Sequence, residues 1–344
     1  MNNRSAGPRS FNTIQRSNRG ARLRRLQEMR ILLLAICALI LLLALTGLVF
    51  LFCHLGHSLS AGGGGGGSSG KIVYTKITQN AVDVHAGDLI QIDGDHFYQF
   101  PETAIEDLAD KSAYDMNSYL SAHDGKPYAI RNAAVGRIYL QPTAASAMDR
   151  MLTAFYESTG EALAFYDGYR SYAYQKDLWD RNSSKVKAGC SDQHTGLSAW
   201  ITNTSNGEPT NQLRVSSMEQ LIRIGKTYGF IQRYPESKKG ETGIDNYPEL
   251  FRYVGIPHAM YITGQNLTLE SYLKQLQNSH TYSGTHLLLD ANGNQVTKDA
   301  AYEIYYVAVS GDSASVPVPK NYNYTISGDN IGGFIVTVNL NSPK

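Results

Sequence analysis

DGYRSYAYQ (167–175), SDQHTGLSAWI (191–201), YGFIQRYP (228–235) and TGIDNYPELFRYVG (242–255) stand in this order in a chain of 344 residues. Around these blocks the periodicities are mixed. Ala162 to Tyr166 reads as a short buried strand running into the first block, and a helix through Tyr174, Leu178 and Trp179 follows it. Upstream, Met148, Met151, Leu152 and Phe155 recur at helical spacing behind Thr143, which suits an N-cap; these methionines are core packing. Ser216-x-x-Glu219 has the form of a capping box opening a helix that ends near Gly229. Further out, Ala81 to His85, Gly87 and Leu89 to Ile92 alternate like strands around a turn. From about Gly284 the chain becomes β-rich, with Leu287 to Leu289, the turn Asp290-Ala291-Asn292-Gly293 and strand-like runs at 302–309 and 334–340. Helices among short strands predict an α+β fold, with 71–283 as the main domain and 284–344 as a β-rich C-terminal extension.

The first 70 residues are of another kind. The formal charge of +1 conceals eight Arg and one Glu in residues 1–30, leaving 23 basic against 29 acidic residues elsewhere. So local a basic block argues against nucleic acid as a partner. It runs into Ile31 to Cys53, 23 uncharged, largely apolar residues, enough at ~1.5 Å per residue to cross a hydrocarbon core of about 30 Å. This predicts a transmembrane helix at 31–53. The Arg-rich flank would keep 1–30 in the cytoplasm and send the rest outward, as a single-pass protein of the cell membrane. A cleaved signal peptide is the competing reading, with Ser58 to Ala61 small enough for a peptidase, but the apolar core exceeds the usual h-region. Residues 54–70 hold a Gly/Ser linker, AGGGGGGSSG at 61–70. Cys37 and Cys53 lie in the apolar run, leaving Cys190 alone outside it. The outer domain therefore has no intrachain disulfide, and Cys190 reads as a small buried hydrophobe.

In order and spacing the four blocks resemble the signature blocks of the VanY-type zinc D-alanyl-D-alanine carboxypeptidases. The resemblance covers about 75–280 and continues through Pro257-His258-Ala259 and Leu267 to Leu273. It implies a D-alanyl-D-alanine carboxypeptidase-like (hedgehog/DD-peptidase-type) domain that trims terminal D-Ala from peptidoglycan stem peptides. It also implies zinc held by a His, an Asp and a second His, with a Glu as base. Three protein ligands leave zinc a position for water, whose pKa falls toward about 7, and a nearby carboxylate takes the proton as that water attacks.

Aligned on Ser191 and Gly196, the family pattern Ser-x-His-x-x-Gly-x-Ala-x-Asp puts Gln193 at the first ligand position and Trp200 at the second. Aligned on Pro248 and Arg252 to Gly255, the final block puts Tyr247 at the base position and Leu250 at the second His position. Leu and Trp do not coordinate zinc, and Gln is a poor ligand beside His or thiolate. Displaced candidates are His194, Asp192 and His258, with Asp245 nearby. His194 is one place late, and in an extended segment that turns a side chain to the opposite face.

Arg170, Ser171, Gln175 and Ser191 are the expected ligand-binding residues. A guanidinium fork suits a peptide carboxylate whether or not hydrolysis follows; the rival reading makes Arg170 a structural ion-pair residue. Arg233 and Arg252 read as fold residues. Trp200 and Tyr247 would close the site by packing or offer a stacking platform. The 23 tyrosines supply aromatic surface that can bind glycan or protein, although most tyrosines are simply partly buried.

Three functional expectations follow. One is a non-catalytic envelope protein, needing no cofactor, that binds peptidoglycan stem peptide or a protein. Another is an active zinc enzyme with displaced ligands. The third is a structural envelope assembly component.

Overall fold

The computed structural model describes residues 71–100, 128–130, 139–205, 208–210, 212–245 and 247–344. The basic segment 1–30, the apolar run 31–53 and the linker 54–70 lie outside the described residues. No helix among the described residues is long and apolar enough to cross a membrane.

The described chain begins with β1 (Tyr74–Asn80) and, after β2 (Ala129–Ile130), continues into helix α1 (Pro142–Thr159). Gln141 occupies the N-cap, not Thr143, because Pro142 is preorganised for the first helical position. Gly160, at φ 71, closes the helix in the left-handed conformation. The stripe through Met148, Met151, Leu152 and Phe155 packs on Phe165, Ala199, Ile201 and Phe251, each large apolar side chain contributing about 1.5–3 kcal/mol.

That face belongs to a mixed sheet built from β2, β3 (Leu163–Asp167), β4 (Ser198–Ser205), β6 (Phe230–Gln232) and β7 (Leu250–Tyr253), in the order β2-β3-β4-β7-β6, with β5 (Glu208–Pro209) paired to β4. Helix α2 (Tyr172–Asp180) follows β3 and α3 (Val215–Gly225) follows β5. The N-cap of α3 is Arg214, and Ser216 falls inside the helix, so the capping box does not form. Asn203 Oδ1 from β4 instead accepts the Arg214 N–H at 2.5 Å. Gly229, at φ 89, ends the 3-10 turn that continues α3.

After α4 (Lys239–Thr242) come α5 (Ile256–Gly264) and α6 (Leu269–Ser279). The C-terminal part holds β8 (Leu287–Leu289), β9 (Tyr302–Ala308), β10 (Ser313–Pro319), β11 (Tyr322–Gly328) and β12 (Gly333–Pro343). Strands β11-β12-β9-β8 form one antiparallel sheet. One face contributes Ile304, Tyr306 and Ile335 to a core shared with Ala259, Ile262, Leu273 and Leu276 of α5 and α6. The other packs Tyr305, Val336 and Val338 against Val316 and Val318 of β10. β10 in turn pairs along its whole length with β1, from Tyr74 opposite Pro319 to Asn80 opposite Ser313.

The expected strands around Gly87 are absent. Ala81–His85 is a 3-10 turn with Asn80 and Asp83 in a capping box, and Leu89 to Ile92 are all buried and outside any strand. Their main-chain groups are satisfied from a distance. Ala81 N–H donates to Asp312 O, Gln91 N–H to Asp329 O, and Ala86 and Val84 carbonyls accept from Gly328 and Asn330.

Candidate functional site

The turn that the second block forms decides what its side chains can reach. Asp192–Thr195 is a 3-10 turn closed by Gly196 at φ 66, and β4 begins two residues later. Pairing of β4 with β7 sets Trp200 directly opposite Leu250, and such pairs share a face. Gln193, Leu250 and Tyr247 line a common cavity with Arg170 and Ser191. Its volume of about 10 Å³ is roughly that of one water probe. Trp200 meets Tyr247 edge-on at 5.3 Å between ring centroids, and Tyr247 Oη lies 3.3 Å from Ser184 Oγ. Gln193 donates from Nε2 to Gly168 O at 2.8 Å. The four positions to which the family resemblance gives ligands and base thus occupy one place. Their donor set does not fit zinc: one amide oxygen and a phenol stand beside an indole and an alkyl group. Among the described residues no group of three or more His, Cys, Asp or Glu could hold a metal ion.

The displaced candidates are committed elsewhere. The segment holding His194 is not extended, so face alternation does not apply to it; hydrogen bonds withhold it instead. His194 Nε2 accepts the Gly189 N–H at 3.0 Å. The proton must then sit on Nδ1, which donates to Arg170 O at 2.6 Å. Burial lowers its pKa to about 4. His258 is buried between Tyr272 Oη (2.7 Å) and Thr337 Oγ1 (2.9 Å), joining α5 to α6 and β12, and burial lowers its pKa to about 3. Asp245 pairs with Lys239 at 2.5 Å.

Asp192 is fully buried and accepts from Arg252 Nη1 at 2.7 Å, Arg233 Nε at 3.0 Å and the Ser198 hydroxyl. Burial alone would raise its pKa, but Arg252 and Arg233 outweigh it and hold the carboxyl below the usual range. Arg233 continues the cluster to Glu270 at 2.6 Å, and Arg252 spans to the carbonyls of Asp88 and Ile90. Both arginines are thus fold residues, as expected. They tie the 3-10 turn, β7 and α6 together behind the cavity.

Arg170 is ion-paired and only partly spent. Nε and Nη2 donate to Asp167 Oδ2 at 2.9 and 2.6 Å, and Nη1 donates to Gln175 Oε1 at 3.0 Å. Three of the five guanidinium N–H groups are used. Gln175 is held by donating to Ser184 Oγ (2.8 Å) and Val186 O (2.5 Å), and Ser171 caps α2 by accepting from Tyr174 N–H at 3.1 Å. Of the four expected ligand-binding residues, Arg170 and Ser191 line the cavity, while Gln175 and Ser171 position what does. Asp167, Ser184 and Tyr234 belong to the surroundings too; only Asp167, three residues before Arg170, carried a local signal.

The two buried histidines give a pH dependence. Each folded pKa lies below the ~6.5 of free imidazole, so between these values the unfolded chain binds more protons. The contribution of these two histidines to stability is full above about pH 6.5 and is lost as pH falls toward 4. His286 works in the opposite sense. Burial opposes its charge, but bonds to Glu303 and the Tyr282 carbonyl raise its pKa, so its contribution is lost as pH rises through the folded value. Denaturant midpoints should fall from about pH 6.5 to 4.5, and His258→Gln should flatten that slope; a flat wild-type profile would contradict this account.

Residues 137–256 match the family VanY, D-alanyl-D-alanine carboxypeptidase. The chain is 32% identical over 203 residues to a D-alanyl-D-alanine carboxypeptidase of Enterococcus faecium, covering 58% of this chain and 62% of that protein. It is 34% identical over 151 residues to the bifunctional D-Ala-D-Ala dipeptidase and D-Ala-D-Ala carboxypeptidase VanXYC of Enterococcus gallinarum, covering 39% of this chain and 77% of that protein. The fold is similar to that of the D,D-dipeptidase VanXYg, solved with a D-Ala-D-Ala phosphinate analogue, with a TM-score of 0.60 and 21% identity over 77% of this chain and 99% of the other. Signature blocks and these likenesses agree: the chain belongs to the VanY family of D-alanyl-D-alanine carboxypeptidases.

Proposed function

We propose that this protein is a non-catalytic member of its family, binding the terminus of a peptidoglycan stem peptide in the cell envelope without cleaving it. One observation carries the reading. Gln193, Trp200, Tyr247 and Leu250 converge where the family resemblance calls for metal ligands and base, and none of the four supplies that chemistry. The active alternative needs His194, Asp192 or His258 as ligands, and each is already held by two or more hydrogen bonds. Peptide recognition is supported by the two guanidinium N–H groups that Arg170 keeps beyond Asp167 and Gln175. Tyr247 lines the same cavity as Arg170. Anchoring through 31–53, with the C-terminal domain outside the cell membrane, belongs to the same proposal and rests on the apolar run and its Arg-rich flank.

The test is D-Ala release by the full chain from a pentapeptide ending in D-Ala-D-Ala, with zinc and with a chelator control. No release is expected. The same peptide should bind, and Arg170→Lys, which keeps the charge but loses the fork, should weaken binding about tenfold. Chelator-sensitive turnover would overturn the proposal, and absence of peptide binding would favour a structural assembly role.

A further inference from the structure

A second cavity, of about 580 Å³, lies away from Arg170, where the C-terminal sheet meets the start of α5 and the loop at 87–89. Its size falls in the small-ligand range. The floor is regular. Asn323 stands opposite Asn339, and Thr325 opposite Thr337, in the β11–β12 ladder, so these four side chains share a face. Strand spacing makes them a grid of neutral amides and hydroxyls roughly 5 Å by 7 Å. Thr337 is engaged by His258, Asn339 Oδ1 accepts the Asn341 N–H, and Asn323 Nδ2 donates to Ser342 Oγ at 2.7 Å. Thr325 is exposed, and among the described residues its hydroxyl has no hydrogen-bond partner. Tyr253 and Tyr302, both half-buried, offer aromatic surface on the walls, beside exposed Ile256.

Charge narrows the ligand class. No Lys or Arg lines the cavity, His258 is buried and neutral, and Asp88 is the one carboxylate. Phosphates, nucleic acids and carboxylates therefore find no counter-charge. An extended peptide added to a sheet is read by main-chain bonds at an edge; β11 is the edge strand of this sheet and lines the cavity from Asn323 to Ser327, so a peptide is the rival that the titration below separates from a ligand read by the side chains of the floor. Neutral hydrogen-bonding groups at regular spacing between aromatic walls suit a ligand with alternating hydroxyl and C–H surfaces. The first-turn N–H groups of α5 at Ile256 and His258, which have no partner within the helix, suit a neutral carbonyl such as an acetamido oxygen.

We infer that this groove is a saccharide site, taking a short neutral oligosaccharide of N-acetylated hexosamines. The inference is independent of the peptide site, because no residue of one cavity lines the other. Calorimetric titration of the full chain with N,N′,N″-triacetylchitotriose tests it. Saturable binding is expected, lowered about tenfold or more by Thr325→Arg and by Tyr302→Ala and unchanged by Arg170→Lys. Thr325 is exposed, so its exchange leaves the fold intact; Tyr302→Ala supplies a second reading. Absence of saturable binding would overturn the inference, as would binding indifferent to both variants. A neutral alanine-rich peptide that binds with Thr325→Arg sensitivity where the trisaccharide does not would also overturn it, in favour of a peptide groove.

Discussion

Asp192→Asn should cost the folded state roughly 3–5 kcal/mol, the range for breaking a buried ion pair from one side. The asparagine is nearly isosteric, so no cavity is created. What changes is the field around two fully buried guanidinium groups. Arg252 has Asp192 as its one carboxylate partner among the described residues, its other bonds going to main-chain carbonyls. Arg233 retains Glu270. The variant therefore leaves one desolvated positive charge uncompensated. Since a domain's whole stability is about 5–15 kcal/mol, Asp192→Asn should lose a fifth or more of it. Urea or guanidinium titration measures this, with the slope unchanged. Asp192→Asn/Arg252→Met should recover part of the loss by removing the orphaned charge. A single-variant cost below about 1 kcal/mol would mean that the cluster is better solvated than its burial indicates.

Refilling the three ligand positions should create a zinc site, against an expectation of no zinc binding by the unaltered chain. In Gln193→His/Trp200→Asp/Leu250→His, the exchanged residues sit on a 3-10 turn and on a directly opposed strand pair. Opposed Cβ atoms in such a pair are ~4.5–5.5 Å apart, near enough for two side chains to share an ion. Burying Asp and His where Trp and Leu stood should destabilise the apo form by several kcal/mol, and metal should restore it, because binding free energy at such a site is folding free energy. Thermal midpoints with and without zinc, together with chelator competition, read both effects. Adding Tyr247→Glu should bring slow, chelator-sensitive D-Ala release. If the triple variant neither binds zinc nor is stabilised by it, the scaffold around the four positions has moved from the arrangement that the family resemblance implies.

What the sequence made legible was what depends on near neighbours. The helix carrying Met148 to Phe155 and the strand before Asp167 are set by periodicity within a few residues. The first residues of α1 and α3 were misplaced because Pro142 and the distant Asn203, not Thr143 and Ser216, organise those ends. Ala81 to Ile92 alternate like strands, yet their main-chain partners lie some 240 residues on and draw the segment into a turn. β10 gave no strand signal because Ser-Ala-Ser-Val-Pro-Val-Pro carries two prolines. It tolerates them because, among the described residues, its sheet has two strands and one edge of β10 is unpaired. At the site, the four exchanged positions could be located from fixed points in the blocks. That His194 is withheld by hydrogen bonds was not legible, since its partners at Gly189 and Arg170 meet it only through the 3-10 turn.

The pairing of β1 with β10 also sets a schedule. A ribosome delivers Asn80 long before Ser313, and at 5–20 residues per second the interval is roughly 10–50 s. Throughout that time β1 has an unsatisfied edge, and the turn after it lacks the carbonyl and amide partners that close it. The mixed sheet around the candidate site can form while synthesis continues, but β1, the earliest strand among the described residues, waits for β10. Chains halted before about residue 319 should therefore carry a folded middle and a loose beginning.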